Sequence, residues 1–446
     1  MTTASIDWTA LGDETVELLR RYLMIDTTNP PGNEAAGAAF LTDVLTGSSL
    51  RSETAESAPG RANLVARLPG DGSLGGIVLH HHIDVVYADR RYWSVDPFGG
   101  VLADGYLYGR GALDMKSTGI LQLAAVLAIK RARIPLKRDL ILLATADEEA
   151  GSAFGARFVA DERRRWLDGA EYALSELAGI EHDASYRLPL GIIVISEKTG
   201  LPLKLTARSE PGHGSQPWPD TAPHRLVRGL SRLLAAERAP RVLPEVQEYF
   251  RQLAQVLPAG EAVGYDDLTA SLRDATFRAR FLAHRQHAAL VRTTFAVTML
   301  KGSEKINVIP PEAVADIDCR MLAGDDPAEI LSWVREVVAD DRIEVTTVRQ
   351  PKVPNLSPPD TEMYKALADS LRARMPGAVV APAILTGFTD NWVFRGLGLQ
   401  GYGWSPFVLD AGEYRRIHGN DERISIDNIR AGVRAYTEML LGIAAA

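Results

Sequence analysis

The chain has 446 residues, 46% of them hydrophobic, and a formal charge of −8, enough to bury a large core across about two or three domains. The mild acidity and the lack of any Lys/Arg-rich block argue against a nucleic-acid partner. A single cysteine, Cys319, excludes an intrachain disulfide framework and thiolate-rich metal sites, which points to a reducing, cytoplasmic setting, and no apolar run reaches the roughly eighteen residues a membrane span needs.

Residues 14–25 carry Val16, Leu18, Leu19 and Leu23 at helical spacing, an amphipathic pattern without the apolar stretch of a secretory signal. It breaks at Thr27-Thr28-Asn29-Pro30-Pro31-Gly32, a second helix is expected over 34–45, and residues 63–68 precede an apolar strand, Ile77-Val78-Leu79. That strand ends in His80-His81-His82-Ile83-Asp84. A strand buried on both faces of a parallel sheet delivers its next residues to the carboxyl edge, where ligands sit in open α/β folds. There an imidazole can bind a metal through one nitrogen while a carboxylate takes the other ring N–H. Taken alone, the tract reads equally as a solvated loop.

Residues 92–100 and 104–109 form a turn-rich excursion whose aromatics would cover the sheet edge. Asp114, in Gly109-Arg110-Gly111-Ala112-Leu113-Asp114-Met115-Lys116, lies just ahead of a helix expected over 117–130. By itself it is a ligand or an acid favoured by the helix dipole. The strand pattern over 140–146 ends in Asp147-Glu148-Glu149. Two adjacent glutamates at such an edge can divide the work, one binding metal and the other taking a proton from water, although an isolated acidic triplet is more often a solvated loop. Residues 172–175 deliver Glu176 in the same way.

Near residue 195 the pattern changes. Residues 198–208 alternate as a half-buried strand, 223–236 read as a helix, 293–301 and 313–321 as strands, 327–338 as a helix and 343–348 as a strand. This βαββαβ order describes an α+β unit inserted into the α/β domain. In the second of the paired strands Asp316, Asp318 and Arg320 share one face while Ile317, Cys319 and Met321 share the other, so Cys319 belongs to the core and Arg320 can pair with Asp318. Residues 240–292 read as additional helices, over 245–257 and 275–290, that shape the substrate cleft, form an oligomer interface or serve as packing. A helix over 361–374 returns the chain to the α/β pattern.

Together these segments, with Gly212-His213-Gly214-Ser215, Lys305-Ile306-Asn307-Val308-Ile309-Pro310, Asp318-Cys319-Arg320, Thr389-Asp390-Asn391 and Ile417-His418-Gly419-Asn420-Asp421-Glu422 in order, resemble the co-catalytic zinc metallopeptidase family of acetylornithine deacetylase, succinyl-diaminopimelate desuccinylase, aminoacylase and carboxypeptidase G. The resemblance implies an α/β catalytic domain with a mixed central sheet flanked by helices (residues 1–197 and 353–446) and an inserted α+β lid or dimerisation domain (198–352, with a helical insertion at about 240–292). It implies two divalent ions, zinc foremost with cobalt or manganese as substitutes. Asp114 would bridge them, His82 and Glu176 would complete one site, and Glu149 and His418 the other. Glu148 would be the general base, Asp84 would orient His82, His213 would stabilise the oxyanion, in some relatives across a dimer interface, and Asn307 and Arg320 would bind the substrate carboxylate. The expected reaction is hydrolysis of the amide bond of an N-acyl-amino acid or small peptide. Carboxypeptidase or dipeptidase action on the same centre is the alternative, with a non-catalytic binding protein of this fold as the different-class rival. The expected partners are a small-molecule substrate and a second copy bound through the lid, with neither nucleic acid nor membrane. One departure stands out: Trp392 follows Thr389-Asp390-Asn391 where aminoacylase-like members carry a basic residue. With Phe388, Trp404 and Phe407 nearby, this fits a more apolar or aromatic substrate group, although aromatics after a strand most often belong to the core.

Overall fold

A computed structural model describes residues 6–176, 178–348 and 355–446. Its largest element among these is a mixed ten-stranded sheet in the order Ser52–Ala58, Arg61–Leu68, Leu140–Thr145, Gly76–His82, Ala170–Ser175, Gln400–Gly403, Leu190–Glu197, Gly179–Glu181 and Val408–Leu409, with Val379–Leu385 also paired to Leu190–Glu197. Gly76–His82 and Leu140–Thr145 are buried at every residue, as strands covered on both faces must be. Ile77 and Leu79 face a core that includes Leu123, Leu127 and Tyr436 from the helices Lys116–Arg131 and Ile426–Ala444. Val78, Ile141 and Leu143 face Val159 and Phe394 on the other side.

Register decides where the chemistry lies. Gly76–His82 runs parallel to both Leu140–Thr145 and Ala170–Ser175, with His82 opposite Thr145 and Leu79 opposite Leu174. The three strands therefore end at one edge and release His82, Glu148 and Glu176 beside one another.

Most of the elements read from sequence patterns lie within a few residues of their expected bounds, whereas the strands Ser52–Ala58, Leu190–Glu197 and Val379–Leu385 and the helix Ile426–Ala444 were not read from the sequence. The first helix begins earlier than expected, at Trp8, because the Asp7 carboxylate accepts from the Thr9 and Ala10 N–H groups, a cap that starts the helix before its apolar stripe does. The helix expected over 275–290 is two, Ala275–Ala283 and Arg285–Leu290, because His284 ends one and caps the other.

The second sheet is five-stranded among the described residues and antiparallel, pairing Glu312–Met321 with Thr199–Gly200, Leu203–Arg208 and Thr294–Lys301, and Leu203–Arg208 with Ile343–Thr347. The helices Ala222–Ala235 and Pro327–Val338 bury Leu226, Leu230, Ile330 and Val334 against it. This is the expected βαββαβ unit. Glu312–Met321 alternates buried and part-exposed residues; Cys319 is in the core and Arg320 Nε donates to Asp318.

The stretch 240–292, grouped with the lid by its place in the sequence, packs elsewhere. Val246, Phe250 and Leu253 of the helix Pro244–Val256 bury against Ile192, Val194, Ala381 and Ala383 of the large sheet. The turn-rich excursion holds a small antiparallel sheet in which Tyr106–Tyr108 pairs with both Val101–Ala103 and Arg423–Ser425. That pairing brings residues 418–422 beside Asp114. No helix among the described residues is long and apolar enough to cross a membrane.

Candidate metal centre

His82 Nδ1 lies 2.9 Å from the Asp84 carbonyl oxygen. A carbonyl only accepts, so the ring proton sits on Nδ1 and the lone pair of Nε2 faces the cleft. Nε2 is 3.1 Å from Asp114 Oδ1 and 3.4 Å from Glu176 Oε2. The other Asp114 oxygen, Oδ2, is 3.1 Å from His418 Nε2, which is also 3.3 Å from Glu149 Oε1. One carboxylate thus offers an oxygen to each of two imidazoles. Two donor sets result, His82–Asp114–Glu176 and Asp114–Glu149–His418, each with its ligand atoms within 4.8 Å of one another. Glu148 joins His82 and Glu149 in a third such group.

The electrostatics fit cations at these positions. Burial and the charge of Glu176 hold the Glu148 carboxyl well above its usual range. Burial and Asp114 do the same to Glu176. Asp114 is shifted the other way: burial opposes its charge, but hydrogen bonds from His418 and His82 outweigh it. His418 is pushed up to about 10 by its hydrogen bonds to Asp114 and Glu149. Buried carboxylates crowded against two imidazoles must take up protons or gain positive charge from elsewhere, and an all-nitrogen-and-oxygen donor set of this kind suits divalent ions.

Neighbouring groups fix these candidate ligands. Asp84, expected to orient His82, meets its ring Nδ1 with the backbone carbonyl at 2.9 Å and with carboxylate Oδ1 at 3.6 Å, while the carboxylate also accepts from Glu148 N at 3.1 Å, Glu149 N at 3.2 Å and Asn29 Nδ2 at 2.8 Å. Asp147, in the left-handed region at φ 68°, turns the chain so that both glutamates face the cleft. Its carboxylate is held by Arg61 Nη2 at 2.9 Å, and Arg61 also makes a two-pronged contact with buried Glu34.

Two further groups were not singled out by sequence reasoning. Glu422 accepts from Gly111 N, Leu113 N and Asp114 N and from Arg110 Nη1, clamping the loop that presents Asp114. His80 contacts Thr145 Oγ1 and Ser175 Oγ, each at 2.8 Å, tying together the ends of the strands that release Glu148 and Glu176; Asp390 lies 3.3 Å behind it and accepts from Ser152. The only local signal was that both lie in motif segments, His80 in the histidine tract and Glu422 four residues after His418.

The centre opens into a cavity of about 520 Å³ bordered by Asp114, Glu148, Glu149, Glu176 and His418 and continuing over an apolar wall that includes Ile192, Val194, Val246, Leu290, Ile384 and Phe388. A smaller cavity of about 270 Å³ places Arg320, Lys198 and Trp392 beside Glu148 and Glu149. Of the aromatics weighed between a substrate group and the core, Trp404 and Phe407 are buried in the main core. His213 and Asn307 line neither cavity. They sit on the lid, where Gly212–His213 pairs with Val308–Ile309 and His213 Nδ1 is 2.7 Å from Ser215 Oγ, in an exposed ribbon.

Residues 78–442 match the peptidase family M20/M25/M40. The N-fatty-acyl-amino acid synthase/hydrolase PM20D1 of Xenopus tropicalis is 32% identical over 83% of this chain and 73% of its own length. Human aminoacylase-1 is 27% identical over 96% of this chain and 95% of its own. Among solved structures, the M20 family metallo-carboxypeptidase Sso-CP2 of Sulfolobus solfataricus superposes with a TM-score of 0.70 at 19% identity, covering 96% of this chain and 98% of that one. At that identity the likeness speaks to the fold alone, the same two-sheet architecture. With the motifs in order, the donor sets assembled and most of the chain matched, this chain belongs to the peptidase family M20/M25/M40.

Proposed function

We propose that the chain is a dinuclear metal-dependent amidohydrolase that cleaves an apolar acyl group from an N-acyl-amino acid. The observation that carries this reading is the continuity of the carboxylate–imidazole cluster with the 520 Å³ apolar cavity. Such a cavity accepts an acyl chain by burying its surface. The names of the N-fatty-acyl-amino acid and aminoacylase relatives support it.

The ligands are His82, Asp114, Glu149, Glu176 and His418, with zinc the foremost ion for such donors and cobalt or manganese able to replace it. When bound, two such ions would polarise the scissile carbonyl and acidify the attacking water. Glu148 accepts the proton from that water and returns it to the leaving nitrogen; burial and the charge of Glu176 raise its proton affinity. Asp84 holds the Glu148 backbone so that the carboxylate faces the cleft. Arg320 reads the carboxylate of the amino acid from the smaller cavity. His213 and Asn307 act on the site of a second copy joined through the lid, which accounts for their exposure on a ribbon away from their own centre. In this reading residues 1–197 and 353–446 form the catalytic domain and 198–352 carry the lid.

The test is to strip the protein with a chelator, restore it with zinc, cobalt or manganese, and assay N-acyl-amino acids of increasing chain length beside dipeptides. Activity should vanish and return with metal, and kcat/KM should rise with acyl length. Turnover confined to dipeptides would replace this reading with an exopeptidase on the same centre.

A further inference from the structure

The chain crosses from the large sheet into the lid along residues 197–200, and a buried ion pair anchors that crossover. Glu197 is the last residue of Leu190–Glu197, and Arg395 lies in the short helix Asn391–Gly396; both are buried. Arg395 Nη2 donates to Glu197 Oε2, and Thr389 Oγ1 donates to Glu197 Oε1 at 2.5 Å. Arg395 Nε and Nη1 donate to Asn355 Oδ1 at 2.8 Å and to the Gly401 carbonyl at 2.9 Å. Asn355 belongs to the chain returning from the lid, where Ser196 Oγ donates to the Asn355 carbonyl at 2.6 Å and Ser357 N to the Ile195 carbonyl at 2.9 Å. Arg395 therefore holds the outgoing and the returning chain together on the catalytic side.

Three residues beyond Glu197, Gly200 pairs with Arg320 in the lid sheet. Glu197, Gly200 and Arg320 border the same 270 Å³ cavity as Glu148 and Glu149. Arg320 uses Nε on Asp318, which leaves its terminal nitrogens for a ligand. We propose that Arg395, through Glu197 and the pairing of Gly200, is a positioning residue that sets where Arg320 meets the carboxylate of the substrate. This rests on the reading of Arg320 as the group that binds that carboxylate. The contact between a guanidinium and a carboxylate is directional, so displacement of the strand that carries Arg320 weakens it. A buried ion pair holds its neighbours in place only while both members remain, because either one alone is an uncompensated charge.

The test is calorimetric binding to full-length, metal-loaded protein of an N-alkylsulfonyl-amino acid, which has no acyl amide to cleave, and of its primary carboxamide. Wild type should bind the acid about ten-fold or more tightly than the carboxamide, and Arg320→Ala should bring the two within about two-fold. Arg395→Lys, whose point charge cannot hold Glu197, Asn355 and Gly401 at once, should reduce the preference to about three-fold or less while leaving carboxamide affinity within about two-fold of wild type. Added to Arg320→Ala it should change the ratio no further, as expected for two residues acting through one contact. Thr389→Val, which takes one hydroxyl from the same anchor, should lower the same ratio in part and serves where Arg395→Lys does not fold. Equal losses for acid and carboxamide, or an undiminished preference, overturn the positioning role. A preference that survives Arg320→Ala overturns the reading of Arg320 and this role with it, whereas failure of wild type to hydrolyse N-acyl-amino acids overturns the proposed activity and leaves the binding ratios to decide the role of Arg395.

Discussion

The Asp84 carboxylate binds the backbone of Glu148: Oδ1 accepts from Glu148 N at 3.1 Å, and Oδ2 takes Glu149 N at 3.2 Å. Asp84 belongs to the same short segment as His82, whose ring its carbonyl orients. One residue therefore sets the positions of two proposed ligands, His82 and Glu149, and of the proposed base. Asp84→Asn replaces one accepting oxygen with a donor against a backbone N–H. It should lower kcat and metal affinity by about 10–100-fold, the range found when groups supporting metal ligands are lost. Metal titration alongside steady-state kinetics would show it, and wild-type values in both would remove Asp84 from the support of the centre.

Glu148 belongs to neither of the two donor sets that share Asp114, so its loss should spare metal binding. Glu148→Gln should retain two ions per chain and lose about 10²–10⁴-fold in kcat, the contribution typical of a general base. Metal content measured on the same preparation separates loss of the base from loss of the centre. Turnover near wild type would exclude the role.

The exposed position of His213 leads to a complementation experiment. If it serves the site of a second copy, His213→Ala and Glu148→Gln should each be nearly inactive alone. Mixed under conditions that exchange subunits, they should regain about a quarter of wild-type activity, because half of the resulting two-fold dimers carry one site with both residues intact. No recovery after confirmed exchange would mean that His213 acts within its own chain or not at all.

The helices packed on the large sheet should confer a pH-dependent stability. His287 packs against Phe250 and Phe281, and burial, with His284 adding to it, pushes its imidazole down to about 4 from 6.5. Between these values the unfolded chain binds the proton and the folded chain does not, so stability is fully present above about pH 6.5 and falls as pH drops towards 4. His287→Phe, which keeps an aromatic ring, should lose less stability than wild type between pH 7 and 4.5. Urea midpoints at the two values provide the comparison, and parallel losses would assign the acid sensitivity elsewhere.

Local sequence sufficed wherever a buried strand ends in a polar residue. The apolar runs before His82, Glu148 and Glu176 announce strands covered on both faces, and such strands can only release their next residues at the sheet edge. Alternation in 312–321 likewise separated core Cys319 from cleft-facing Arg320, because a strand has only two faces. Tertiary structure decided what depends on meeting a distant partner. His418 reaches Asp114 because Arg423–Ser425 pairs with Tyr106–Tyr108, and Glu422 becomes a clamp through the same pairing. The apolar stripe of 244–256 revealed that it packs but not that it packs on the catalytic sheet, since burying hydrophobic surface is non-directional. For the same reason Trp404 and Phe407 could not be told from pocket residues by type: an aromatic ring gains as much from a core as from a substrate, and only the packing of this chain assigned them to the core.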